Sequence, residues 1–375
     1  MKRNILLVSA SAGAGHTRAA DAIAVAWKHR CPDDQVTHLD LLQESTGFFR
    51  WLYRDFYLAL AGKWPLAFRV LFEISDKPLR PDRVRQWFER VNCQPFLKKL
   101  QTIQPDIVIA THFSAAHLIA HARAERLIAD RRTNIVVTDF DVHGTWLAES
   151  HERYFVANDT SAAYLRGLGV AAEKVTVSGV PVDALFAQPL ARPDACARRG
   201  LDPARPVVLA STGGFGVGPV AEMIEKLFDL TVPAQVVAIA GKSEALKREL
   251  DALAARRNTA AVTLIPVGFT RDMHEYMAAA DILIGKPGGL TSSEAMARAL
   301  PMCIINPIPG QEERNADRML EAGAAIRCHS VHTLAWQVDA VLRDPARLLH
   351  MRQSAHRLGK PLAAETVVNT ILQGA

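Results

Sequence analysis

Residues 282–295 read Ile282-Leu283-Ile284-Gly285-Lys286-Pro287-Gly288-Gly289-Leu290-Thr291-Ser292-Ser293-Glu294-Ala295. Three aliphatic residues with no polar break make a short strand buried on both faces, as parallel sheets use. Lys286-Pro287-Gly288-Gly289 then turns the chain, and a helix follows. A strand ending in a glycine turn that opens a helix is the building unit of a doubly wound α/β sheet. Its turn lies at the carboxyl edge, where such sheets bind ligands. Thr291-x-x-Glu294 taken alone is a capping box. That leaves Gly288, Gly289 and the hydroxyls of Thr291, Ser292 and Ser293 unexplained. These suit a phosphate cradle at a helix N-terminus, with Glu294 one turn on as an acceptor for ribose hydroxyls.

The same unit recurs along the chain. Asn4–Ser9 reads as a buried strand, Ala10-Ser11-Ala12-Gly13-Ala14-Gly15 as a small-residue turn, and Thr17 to Trp27 as a helix. Gln35–Leu41, Ile107–Thr111, Ile135–Thr138, Tyr154–Ala157 and Val175–Ser178 supply further strands. The Pro-, Ala- and Arg-rich stretch from Asp183 to Arg205 is read as the domain boundary. Beyond it Val207–Ser211, the glycine loop Thr212–Gly218 and a helix over Pro219–Phe228 repeat the opening. Strands over Val236–Ala240, Val262–Pro266, Ile282–Ile284 and Met302–Asn306 follow. The reading is α/β: two doubly wound domains, 1–185 and 203–350. The terminal helix, within about 350–375, has no strand of its own and is free to return to the first domain.

His16 follows the first glycine turn. Its side chain titrates near working pH, which suits a general base; a surface histidine at a helix start is the plainer alternative. A dinucleotide fold is the natural rival, with Asp40 as the ribose contact. Its G-x-G-x-x-G spacing from Gly13 would need glycine where Arg18 stands, and Gly213-Gly214-Phe215-Gly216-Val217-Gly218 lacks the spacing too. A third polar run, Asn306-Pro307-Ile308-Pro309-Gly310-Gln311-Glu312-Glu313-Arg314-Asn315, ends the next strand. Its amides and carboxylates suit vicinal hydroxyls of a sugar, whereas a charged helix start explains only Glu312 and Glu313.

The chain has 375 residues and a net charge of +5, a length that predicts two domains at roughly 150 residues each. Five scattered cysteines argue against a disulfide framework or a cysteine zinc site and fit a reducing compartment. No apolar run approaches the ~18 residues of a membrane span, and Ile5-Leu6-Leu7-Val8 is too short for a signal peptide. The expectation is a soluble, cytoplasmic chain. The charge is local: Phe48–Lys99 holds 11 Lys/Arg against 5 acids, net +6, and 12 of the 25 aromatic residues. Phe49, Tyr53, Phe56, Leu60, Trp64, Phe68 and Leu71 recur at helical spacing, with a break expected at Gly62 and Trp64-Pro65. Such a stripe is either core or an interfacial helix on an anionic bilayer. No nucleic-acid-binding motif accompanies the charge, so nucleic acid is not an expected partner.

At these residues the second half resembles the sugar-nucleotide domain of GT-B glycosyltransferases. The whole chain resembles the monogalactosyldiacylglycerol synthase and processive diacylglycerol glycosyltransferase family, glycosyltransferase family 28-like and related to the N-acetylglucosaminyltransferase of peptidoglycan synthesis. Ser9–His16, Thr212–Gly218, Gly268-Phe269, Gly288–Glu294 and Gln311–Asn315 match that family's motifs, as does the Thr138, Asp139, His143, Trp146 segment. The resemblance implies a GT-B fold with two Rossmann-like domains facing a central cleft. It implies inverting transfer of a hexose from a UDP-sugar to diacylglycerol or a related lipid, with no cofactor and no obligatory metal; Asp139-Phe140-Asp141 is a D-x-D only formally.

His16 is the implied base, and Asp139 either its partner or a structural residue. Donor contacts fall to Gly213, Gly214, Gly268, Phe269, Gly288, Gly289, Thr291, Glu294, Gln311, Glu312 and Asn315. The acceptor and an anionic membrane surface fall to Gly13, Gly15, Phe49, Arg50, Trp51, Tyr53, Arg54, Phe56, Trp64, Phe68 and His143, at the inner face of the cell membrane. With a lipid acceptor implied, the aromatic stripe is read as interfacial. Transfer to a polyprenyl-linked or other lipid, and a non-catalytic nucleotide- or lipid-binding relative, are the alternatives. A UDP-sugar epimerase on the same fold would leave the aromatic basic segment idle.

Overall fold

The computed structural model describes residues 2–76, 83–128, 131–148, 151–211 and 220–374. The chain forms two compact units. One is built from Met1–Ala184 together with Pro309–Gln311 and Lys360–Ala375, the other from Leu185–Ile308 and Glu312–Gly359.

The first unit holds strands β1 (Asn4–Ser9), β2 (Gln35–Asp40), β3 (Ile107–Ala110), β4 (Arg132–Val136), β5 (Arg153–Val156) and β6 (Val175–Val177). They form one parallel sheet in the order β2-β1-β3-β4-β5-β6. β1 shows why its apolar run has no polar break. Leu6 and Val8 enter one core with Leu100, Val108 and Ile135, while Ile5 and Leu7 enter another with Ile23 and Trp27. Val367, Val368 and Ile371 of the terminal helix Ala363–Gln373 complete that second core, so the chain end does return to the first unit. Gly179, at φ +87°, lies where the returning chain passes: a Cβ there would sit 2.3 Å from the Lys360 Cβ.

The first helix, Ala14–Arg30, starts three residues earlier than its periodicity suggested, with Gly13 as an extended N-cap. Between β2 and β3 the chain runs through helical segments. They are Gly47–Arg50, a wider π-helical stretch Trp51–Phe56, Tyr57–Lys63, Pro65–Ser75, Arg83–Asn92 and Gln94–Ile103. The break falls at Trp64, before Pro65 at the first helical position, as proline dictates. Gly62 lies inside a helix and breaks nothing.

The second unit holds β7 (Val207–Ser211), β8 (Ala234–Ile239), β9 (Val262–Val267), β10 (Ile282–Gly285), β11 (Met302–Ile305) and β12 (Ala325–Cys328). All are parallel, in the order β12-β11-β10-β7-β8-β9. This is the Rossmann order, with its switch point between β7 and β10. There the backbones crowd: a Cβ on Gly285 would meet the Ser211 carbonyl oxygen at 2.3 Å. β12 was not foreseen. The stretch read as a boundary carries the helix Arg192–Arg199, fastened to the second unit by ion pairs. Arg192 reaches Asp281 at 2.9 Å, and Arg199 reaches Asp272 at 2.8 Å and Glu275 at 2.6 Å.

Candidate active site

In the first sheet the switch point lies between β1 and β3, and His16 sits there, one turn into the helix that follows β1. Its Nδ1 lies 2.9 Å from the carbonyl oxygen of Thr111, just past β3, and 2.7 Å from the Thr138 hydroxyl, past β4. The Thr111 hydroxyl in turn donates to the His16 carbonyl at 2.9 Å. A carbonyl only accepts, so Nδ1 carries the hydrogen and Nε2 the lone pair. Burial lowers the pKa of His16 against the opposing field of Asp139, so the ring is neutral. The His112 ring meets it edge-on at 4.8 Å, and Trp146 lies 6.4 Å away. A neutral imidazole with a fixed Nδ1–H and an available Nε2 is a general base in its working tautomer.

Asp139 is buried beside this histidine, and burial raises its carboxyl pKa while His16 and the Trp146 indole N–H pull it down. Charge alone couples it to His16: the hydrogen bonds that hold the imidazole come from Thr111 and Thr138. Asp139 thus acts on the ring through its charge, while two threonines hold its orientation. His143 was expected at the acceptor. Its Nδ1 accepts from the Thr145 backbone N–H at 3.2 Å, so Nε2 donates to the Phe72 carbonyl at 3.0 Å. The buried ring braces the Pro65–Ser75 helix rather than presenting a free nitrogen. Gly13 and Gly15 border His16, and a Cβ on Gly13 would touch nothing within 4 Å. Packing therefore does not require that glycine.

The aromatic stripe divides by face. Phe49 and Phe68 are buried, and Phe49 stacks on Tyr53 at 4.3 Å. Tyr53 donates to the buried Glu89 carboxylate at 3.0 Å. These three belong to the core, because the same helical period that turns their neighbours outward turns them in. Trp51, Phe56 and Trp64 are exposed, together with Leu66, Val70 and Ile74 of the next helix. Arg54 is exposed, and exposed Arg50 ties back through its Nε to the Leu42 carbonyl at 2.9 Å. Sequence reasoning passed over Val84, Trp87 and Val91, which leave a further apolar stripe exposed on Arg83–Asn92.

In the second unit the Gly289–Ala297 helix starts from Gly288 as an extended N-cap without a side-chain bond. Thr291 is thus inside the helix and the capping box is not formed. The first intrahelical bond runs from the Ser292 N–H to the Gly288 carbonyl at 2.9 Å, leaving the N–H groups of Gly289, Leu290 and Thr291 without intrahelical acceptors. Ser292 and Ser293 are buried, and Ser293 donates back to the Gly289 carbonyl at 2.7 Å. The cradle is therefore backbone, with Thr291 the one partly exposed hydroxyl of the three. Glu294 is buried one turn below.

The next helix, Gln311–Glu321, opens with Gln311 and is tied to this turn. The Asn315 amide donates to the Pro287 carbonyl at 3.1 Å, and a Cβ on Gly288 would lie 3.7 Å from the Glu312 carboxylate. Glu312 also accepts from the Ile308 N–H at 2.7 Å. Fully buried Asn315 is thus a strut of the turn. Gly268 and exposed Phe269 follow β9, with the Lys242 ammonium 5.5 Å from the Phe269 ring centre. Gly213 and Gly214 lie outside the described residues.

Residues 16–182 match the family described as monogalactosyldiacylglycerol (MGDG) synthase, and residues 219–358 that described as glycosyl transferases group 1. The chain is thus similar to MGDG synthases in its first half and to group 1 glycosyl transferases in its second. The first match takes in His16, Thr111, Thr138 and Asp139, and the second the Gly288 turn and Asn315. Processive diacylglycerol beta-glucosyltransferases of Bacillus cereus (strain AH187) and Bacillus thuringiensis (strain Al Hakam) are 29% identical to the chain, over 374 and 376 residues. Each alignment covers 98% of the chain and 93% of the relative.

Among solved structures, Acinetobacter baumannii MurG superposes with a TM-score of 0.65 at 17% identity, with full coverage of both chains. The S. aureus MnaA–UDP co-structure gives 0.62 at 16%, covering 99% of this chain and 96% of that one. These likenesses establish the fold: two Rossmann-like domains of GT-B type.

Proposed function

We infer that the protein is a glycosyltransferase moving a hexose from a UDP-sugar to diacylglycerol, with inversion at the anomeric carbon. The observation that carries this reading is His16, held neutral at the switch point of the first sheet with Nε2 available. Relatives named diacylglycerol beta-glucosyltransferases support the donor and acceptor classes. UDP-hexoses carry the sugar in α linkage, so a β-glycoside requires one displacement. In that step the acceptor oxygen bonds to the anomeric carbon as the bond to the diphosphate breaks. The acceptor proton passes to His16 Nε2 and UDP leaves with the electron pair.

The N–H groups of Gly289, Leu290 and Thr291, at the positive end of their helix, suit the departing diphosphate. Exposed Phe269 offers a face for the base, and Glu294, Gln311 and Glu312 border the sugar and ribose. We place the enzyme on an anionic membrane surface through the exposed Trp51, Phe56, Trp64, Leu66, Val70 and Ile74. Among the described residues no helix is long and apolar enough to cross a membrane. Five free cysteines suit the inner, reducing face.

His16→Ala is the test. Transfer should fall at least roughly 100-fold, the usual scale for removing a general base, while UDP binding by calorimetry stays within about threefold, a difference of under 1 kcal/mol. Transfer at near wild-type rate would overturn the base assignment.

A further inference from the structure

We propose that Thr138 is a positioning residue for glycosyl transfer: its hydroxyl and the Thr111 carbonyl form a two-acceptor seat for the Nδ1–H of His16. The proposal rests on the reading of His16 as the base. Three observations support it. The Thr138 oxygen, at 2.7 Å, is nearer to Nδ1 than the Thr111 carbonyl at 2.9 Å. Both threonines are buried, so neither oxygen is diverted to solvent. The Thr111 hydroxyl grips the His16 carbonyl, so backbone and ring of residue 16 are fixed by the same neighbour.

With Nδ1–H already pledged to the carbonyl, the Thr138 oxygen acts as a second acceptor, and its own hydrogen turns away. When the acceptor proton reaches Nε2 the ring becomes an imidazolium. A hydrogen bond from a charged donor is about twice as strong as a neutral one. The seat thus tightens in the transition state more than in the ground state, which is what accelerates a reaction. The titratable groups facing His16 are Asp139, whose charge favours the imidazolium, and His112, whose proton opposes it. Burial holds His112 well below the ordinary histidine pKa, so it stays neutral. Asp139 contributes field without a hydrogen bond to the ring, which leaves the geometric task to the threonines.

The test compares Thr138→Val, which keeps the shape and loses the oxygen, with Thr138→Ser, which keeps the oxygen. The valine variant should lose roughly 10–100-fold in kcat, the range of one charge-assisted hydrogen bond, with KM for UDP-hexose unchanged. A bond to the protonated ring raises its pKa, so its removal should move the acid limb of the pH–rate profile downward. Serine should restore both. Nitrogen NMR of the His16 ring, which does not need turnover, should show Nδ1 protonated in the wild type and a lower ring pKa in Thr138→Val.

If the valine variant melts early, Thr138→Ala carries the same expectation. An unchanged kcat and acid limb in Thr138→Val, or a serine variant as impaired as valine, would overturn the seat. If His16→Ala keeps its activity, the base assignment fails instead, and the ring pKa still tests the seat itself.

Discussion

Two tryptophans carry the membrane-surface reading, and replacing both is its most informative perturbation. Trp51 is 48% and Trp64 61% exposed. Taking ~200 Å² for a tryptophan side chain, about 100 and 120 Å² are available to a bilayer. At ~25 cal/mol per Å², full transfer of that surface is worth about 2.5 and 3 kcal/mol. Rings seated at the headgroup level bury about half, so the pair contributes about 3 kcal/mol, or roughly 100-fold in partitioning. Trp64 precedes Pro65 at a helix N-cap, where serine is favoured, so Trp64→Ser spares the fold; Trp51→Gln keeps a good helix former.

The assay is co-sedimentation of the double variant with sucrose-loaded vesicles containing diacylglycerol and anionic phospholipid, read beside turnover of a short-chain diacylglycerol in detergent. Partitioning should fall roughly 100-fold, with detergent turnover within about twofold, because neither tryptophan touches His16. Vesicle binding that changes less than threefold, or that ignores anionic lipid in the wild type, would rule out docking on an anionic surface through these tryptophans.

Gly285→Ala should force β10 away from β7, since its methyl would lie 2.3 Å from the Ser211 carbonyl. A loss of about 1–3 kcal/mol in denaturant unfolding is expected, with weakened UDP binding in calorimetry; a variant of wild-type stability and affinity would contradict that crowding. Stability should also depend on pH. Burial pushes His117 and His151 down to about 4, below the unfolded value near 6.5, so the unfolded chain binds more protons as pH falls. The stability is intact above pH 6.5 and is lost toward pH 4. Between pH 7.5 and 5 each histidine costs about 2 kcal/mol, measurable by urea titration, and His151→Gln should lessen the total loss over that range by about that amount. A flat profile over that range would count against the burial of these rings.

Strands buried on both faces were the most legible part of the sequence, because β1 and β10 carry unbroken apolar runs. β12 was missed for the complementary reason: it is a four-residue edge strand reading Ala-Ile-Arg-Cys, its apolar run broken by a charge. Thr291-x-x-Glu294 imitates a capping box, yet glycine at position 288 supplies the extended N-cap and the box residues fall inside the helix. Helical spacing marked the stripe from Phe49 to Leu71 but could not say which face met the core, and Phe49, Tyr53 and Phe68 went inward. His16 was legible from its place after a glycine turn. What orients it was not: Thr111 acts through its backbone carbonyl, which no side-chain pattern encodes, and Thr138 is brought to it only by the adjacency of β1, β3 and β4.

The reaction proposed is transfer of a hexose from UDP to diacylglycerol. Incubating the protein with vesicles of diacylglycerol and anionic phospholipid, and a panel of radiolabelled UDP-hexoses, then separating the lipids, tests it directly. Label is expected in a β-hexosyl diacylglycerol with one UDP released per sugar transferred, and at least roughly 100-fold less of it with His16→Ala. Label that stays in nucleotide sugar, is epimerised there, or appears only as free hexose would contradict it.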